Sequence, residues 1–200
     1  MKKKNGVSKK VLIFIIVVSI LFLLSIILAF VCYSANNKKK ESTIHDSGSI
    51  VMTYSNSSNS LTIDNSVLLS DKDGILVKDV NHYFDFTVNT ELKDSKMISY
   101  EISIMKDPAS TIADDKIRVY LEKQTSGTFT KVFEPQQYIP LAKKSDIGSP
   151  AGSMVLFKGV SKSDSSDNYR LRIWVSNDVQ LDNSQLGNYT LSVDVYGKAQ

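Results

Sequence analysis

Residues Val11 to Tyr33 read VLIFIIVVSILFLLSIILAFVCY, 23 positions without a single charge. No other feature restricts the folding of the chain so strongly. A helix rises about 1.5 Å per residue and a hydrocarbon core is about 30 Å thick, so about 20 apolar residues span it. A helix also closes its own backbone hydrogen bonds, which lipid demands. A buried core helix is usually amphipathic and shorter. A secretory hydrophobic region, about 7–15 residues, is shorter too. The reading is therefore an uncleaved signal-anchor over 11–33. Cleavage after Ser34 is the alternative, since Cys32 and Ser34 are small. Val31 stands where a lipoprotein signal needs a small residue before Cys32.

Orientation follows from the flanking charges. Lys2, Lys3, Lys4, Lys9 and Lys10 precede the run, and Lys38, Lys39 and Lys40 follow it. That bias keeps the N-terminus inside. Residues 1–10 read as a cytoplasmic tail and the large C-terminal part as extracellular, at a plasma membrane crossed once. The chain has 24 basic and 21 acidic residues, a net charge of +3. Without the five tail lysines, 19 basic residues face all 21 acidic ones, so the outer part carries −2. A mildly acidic surface gives no footprint for nucleic acid. Lys38, Lys39 and Lys40 are placed to meet lipid head groups. One Cys forbids an intrachain disulfide, and two His leave little for a multi-histidine metal site.

Residues 34–48 are polar and without period, and read as a stalk. Beyond them the chain alternates. Phe84–Val88, Ile98–Ile104, Ile117–Glu122, Tyr169–Val175 and Tyr189–Val195 each place apolar residues at every second position. Successive side chains of a strand point to opposite faces, so each run buries one face and wets the other. Shorter strands are expected at 49–54, 61–64, 75–80, 129–133 and 154–157. Turn clusters such as Asp71-Lys72-Asp73-Gly74 and Asp107-Pro108-Ala109 separate them. Many short strands at this spacing predict an all-β extracellular antiparallel sandwich over 49–198, jelly-roll or immunoglobulin-like, preceded by one transmembrane helix.

Tyr83-Phe84-Asp85-Phe86-Thr87-Val88 and Tyr169-Arg170-Leu171-Arg172-Ile173-Trp174 resemble strands of Gram-positive surface proteins that carry one N-terminal hydrophobic segment and a small β-sandwich. More distantly, the layout resembles the camelysin/TasA-like proteins. That resemblance implies a secreted jelly-roll domain that assembles into biofilm fibres, although no clear cleavage region is evident here. It carries over no functional residue.

Chemical motifs are sparse. Ser103-Ile104-Met105-Lys106 has the Ser-x-x-Lys spacing of cell-wall acyltransferases, but it lies in an alternating strand, where serine and lysine do not share adjacent helical turns. Asp71-Lys72-Asp73-Gly74 lacks the flanking ligands of a calcium loop, with Leu69 and Val80 at those positions. His45 lies in the stalk and His82 begins a strand. No catalytic residue, metal or cofactor is assigned.

One surface stands out. Arg170, Arg172 and Trp174 share a strand face opposite Tyr169, Leu171, Ile173 and Val175. If outward, they form a contact face able to stack on a sugar or pair a carboxylate. The other reading packs Trp174 beneath the arginines or into a second small core. The expected function is a non-enzymatic structural, adhesive or binding role in the envelope, with a protein or glycan partner and residues 11–33 in the bilayer. The alternatives are a tethered hydrolase using paired carboxylates and, after cleavage, a released fibre subunit.

Overall fold

The computed structural model describes Val18, Phe22, the backbone of residues 39–45, and residues 48–56, 58–178 and 187–200. The chain divides into two units, Met1–Lys38 and Lys39–Gln200. The tail, the cleavage point and Lys38 lie outside the described residues. So does the expected spanning segment, except for Val18 and Phe22, which are helical and exposed. No helix among the described residues is long and apolar enough to cross a membrane.

The second unit is all-β, as its alternation predicts. In chain order the strands are β1 (Lys39–His45), β2 (Gly48–Tyr54), β3 (Ser60–Asp64), β4 (Leu68–Leu69), β5 (Tyr83–Leu92), β6 (Ile98–Lys106), β7 (Ile117–Thr125), β8 (Thr128–Lys131), β9 (Gln136–Gln137), β10 (Ser153–Ser161), β11 (Ser165–Ser176) and β12 (Asn188–Ala199). A one-turn helix, α1 (Asp71–Gly74), follows β4. The larger sheet runs β1-β2-β5-β11-β7-β8, with β4 pairing β11 and β9 pairing β7. The smaller runs β10-β6-β12-β3. The pairs are antiparallel except β4 with β11. The β7–β8 hairpin turns on Ser126 and Gly127, at φ 51° and 82°. A two-residue turn with both φ positive matches the twist of the strands it joins, and glycine takes it without strain.

The five long alternating runs all fall in strands, and their apolar faces meet. Phe84, Phe86, Leu171, Ile173, Val119 and Leu121 of the larger sheet form one core with Ile102, Ile104, Leu191 and Val193 of the smaller. Tyr169 stacks on Phe86 at 5.5 Å and meets Phe157 of the facing sheet at 5.9 Å. Its hydroxyl lies 3.2 Å from that of Tyr100, also across the sheets. Burial pushes the Tyr169 phenol well above its ordinary pKa, so this link stays uncharged.

Two segments differ from expectation. Residues 39–45, within the expected stalk, form the outer strand β1, registered on β2 from Lys39 opposite Tyr54 to His45 opposite Gly48. Pairing at a sheet edge uses backbone groups, so a polar segment without period can do it. Residues 75–80 form no strand. Ser70 caps α1, its hydroxyl accepting from Asp73 N and donating to Asp73 Oδ2. The turn then continues, with Leu76 N and Val77 N donating to Asp73 O and Gly74 O. The apolar run 75–77 becomes part of a strap rather than a ladder.

Each sheet has a loop on part of its outer face. Over β6 lies the 138–152 segment, and this buries Glu101, fully inaccessible although its strand alternates cleanly. Ser145 Oγ donates to Glu101 Oε2 at 2.5 Å, and Lys158 Nζ lies 3.1 Å from Oε1. Burial alone raises the carboxyl pKa, but the hydrogen bond from Ser145 and the adjacent Lys158 ammonium, with the nearby Ser149 hydroxyl, outweigh it and hold it below the ordinary value. A depressed folded-state pKa stabilises the fold above the unfolded value of 4.5. That stability is lost as pH falls through the folded value. Urea unfolding between pH 7 and pH 3 is expected to show a steeper acid loss in the native chain than in Glu101→Gln. Equal slopes would remove Glu101 as the anchor of the loop.

Candidate functional site

The outward residues of the larger sheet form registered rows. Strand β11 presents Ser166, Asn168, Arg170, Arg172 and Trp174 in turn. Arg170 faces Asp85 on β5 and Glu122 on β7; Arg172 faces Tyr83 and Tyr120; Trp174 faces Arg118. Asn168 faces Thr87, which faces Thr53 on β2.

The Trp174 end is closed: of the two readings of this strand face, the structure has the covered Trp174 and not the outward Arg170, Arg172 and Trp174 contact face. Trp174 is 0 % exposed. Gly74 of α1 lies on the indole so closely that an added Cβ would stand 2.3 Å from ring carbons Cδ2 and Cε2. Only glycine permits that approach. Arg172, 8 % exposed, donates through Nε to Glu122 Oε2 at 2.9 Å and through a terminal nitrogen to Val77 O. It therefore ties the strap to the sheet. Arg118 lies 3.5 Å from both Asp71 and Asp178. The physical reason is the size of the indole: left in water on a sheet face it wastes a large apolar area, which the strap recovers.

Arg170 alone of the three stays near the surface. Nε and a terminal nitrogen each donate to Asp85, both at 2.7 Å. Its guanidinium lies 4.3 Å from the centre of the Tyr83 ring and 4.5 Å from that of Phe129. The Asp85 hydrogen bonds raise its pKa further, so it is a fixed cation already matched to an anion.

Beyond Arg170 the face opens. Asn168 Nδ2 donates to Gln124 Oε1 at 2.9 Å, and Thr87 Oγ1 donates to Asn168 Oδ1 at 2.7 Å. Ser166 Oγ donates to Asn89 Oδ1 at 2.8 Å, and Asn89 Nδ2 donates to Thr53 Oγ1 at 3.4 Å. Phe129 is in register with Gln124 at the β8 end. Sequence reading missed Tyr83, Asp85, Glu122, Phe129 and the amide–hydroxyl row. Asp85 and Thr87 were visible as outward positions of their run, but the register that aligns them with Arg170 and Asn168 was not. Of the expected head-group contacts, Lys39 and Lys40 open β1 opposite Tyr54 and Thr53.

A second feature is an open depression of about 450 Å³, lined among others by Asp64, Ser66, Asp79, Asn81, His82 and Asn188. His82 Nδ1 lies 3.7 Å from Asp79 Oδ2. Ser66 donates to Asp64 through both its hydroxyl and its backbone N–H, and these bonds hold the Asp64 carboxyl below its ordinary pKa. A general acid near neutral pH needs a raised pKa, so Ser66 acts against that role. Among the described residues, no group of three or more His, Cys, Asp or Glu is arranged to hold a metal.

No family profile matches the sequence, and no curated protein matches it. Among solved structures, the chain is similar to one described as "AvmM Catalyzes Macrocyclization in Alchivemycin A Biosynthesis". The two share 6 % identity over 81 % of this chain and 97 % of that one, at a TM-score of 0.25. A likeness this slight transfers neither fold nor activity. The reading of the site therefore stands on its geometry.

Proposed function

We propose that this chain is a non-enzymatic binding module of the cell envelope, tethered by residues 11–33 with its N-terminus cytoplasmic and its β-domain outside. The uncharged run and the five lysines before it support the tether. Lys38, Lys39 and Lys40 then meet lipid head groups. The observation that carries the binding role is the open row Gln124–Asn168–Thr87. Its side chains are held by cross-strand hydrogen bonds before any partner arrives, so binding costs little side-chain entropy.

The strand order supports a jelly roll. Pairs β7·β8, β6·β10, β5·β11 and β3·β12 are successive rungs of one antiparallel ribbon. Winding that ribbon gives β5-β11-β7-β8 against β3-β12-β6-β10, with β1 and β2 added beyond β5. This order is consistent with a distant camelysin/TasA-like layout.

A photo-reactive side chain at position 168 of the full chain, activated in intact cells, is expected to crosslink an envelope component. The same group at Thr62, exposed on the smaller sheet, is expected to give no such product. Equal yields at both positions, or none at 168, would overturn the binding-face reading.

A further inference from the structure

We infer that the partner of this face is a neutral, hydroxyl-rich polysaccharide, lying across the strands along the row that ends at Phe129. The inference rests on the binding-face reading above and names its ligand class.

Charge is the first argument. Among the described side chains, the acidic and basic groups flanking the row at its β5, β7 and β8 strands are matched within the face: Asp85 by Arg170, Glu122 by Arg172 and Lys131 by Glu134. The Arg170 pair is bidentate, and the Arg172 pair is nearly buried. Among the described side chains a polyanion or polycation gains no unmatched counter-charge here, and capturing one would mean breaking close pairs. An uncharged ligand meets no such penalty.

Hydrogen-bonding capacity is the second. Amides and hydroxyls both donate and accept, as sugar hydroxyls do. Within the row, Asn168 uses one amide hydrogen toward Gln124 and one carbonyl lone pair toward Thr87. One hydrogen and one lone pair remain on an exposed side chain. Thr53 and Thr87 contribute hydroxyls from the next two strands.

Spacing and shape are the third. Neighbouring strands lie about 4.8 Å apart, so Gln124, Asn168, Thr87 and Thr53 offer polar groups at regular intervals over roughly 14 Å. That suits a linear chain of repeating units better than a compact solute. Phe129 closes the row with a half-buried ring, against which the C–H face of a terminal sugar can pack.

The test uses the full chain in detergent micelles on a panel of immobilised linear polysaccharides. Neutral glucans, mannans, galactans and chitin oligomers stand beside heparin and a polyglycerol-phosphate polymer. At least one neutral polymer is expected to bind more tightly than either polyanion. Asn168→Ala should weaken it about tenfold, the effect of losing one direct hydrogen-bonding group, with an unchanged thermal melt. Thr87→Val, nearly isosteric, should weaken it in the same direction. Binding untouched by both variants, tighter binding of a polyanion, or no binding by any neutral polymer would each overturn the inference. If the neutral polymers fail while crosslinking from position 168 persists, the ligand class alone is wrong. If crosslinking is absent as well, the face reading falls with it.

Discussion

Replacing Trp174 with alanine is expected to lower the melting temperature of the full chain by roughly 10 °C or more. Truncating a fully buried Trp removes about 3–5 kcal/mol, and each kcal/mol moves a domain of this size by about 2–4 °C. The cost belongs at the upper end if the strap cannot collapse into the space. It is held on both sides, by Ser70 at the start of α1 and by Arg172 at Val77. Gly74→Val probes the same contact from above, since any Cβ there meets the indole at 2.3 Å. Circular dichroism melts decide the matter. A Trp174→Ala melt within about 2 °C of the native one would show that the indole is not core, since a buried one costs several times that.

The second large effect is expected at Glu122. Removing it strands the Arg172 guanidinium in a nearly closed site, and breaking a buried pair from one side costs about 3–5 kcal/mol. The lower end applies here, because Arg172 keeps its bond to Val77 O and each side chain keeps about a tenth of its exposure. The paired change Glu122→Leu with Arg172→Met removes both charges together and is expected to recover most of the loss. Urea denaturation of Glu122→Ala, the double variant and the native chain measures this. A double variant no more stable than Glu122→Ala would mean that the strap's bond to Arg172, not the unpaired charge, dominates.

These two variants also mark where sequence reading stopped. Phe84, Phe86 and Val88 alternate with polar neighbours, and so do Tyr189, Leu191 and Val193. Each set lies in the core as the period requires. The contact face was legible only as a set, Arg170, Arg172 and Trp174 on one side of β11. Which of them stayed in water was not. Trp174 is covered by Gly74, a hundred positions earlier, and Glu101 by Ser145, 44 positions later. A two-residue period says that a strand has two faces; it says nothing about which distant loop lies on the second one.

From its sequence alone, this chain was bound to carry one long uncharged segment and an all-β domain with the right inward faces, because both follow from local chemistry. Apolar length and side-chain alternation are properties of consecutive residues. Tertiary structure decided the rest. It made polar residues 39–45 an edge strand and turned the expected strand 75–80 into a strap. It buried the indole, paired the arginines and aligned Asn168 with Gln124 and Thr87. These outcomes depend on register and on contacts between residues far apart in the chain, whose energies exist only once the sheets have formed.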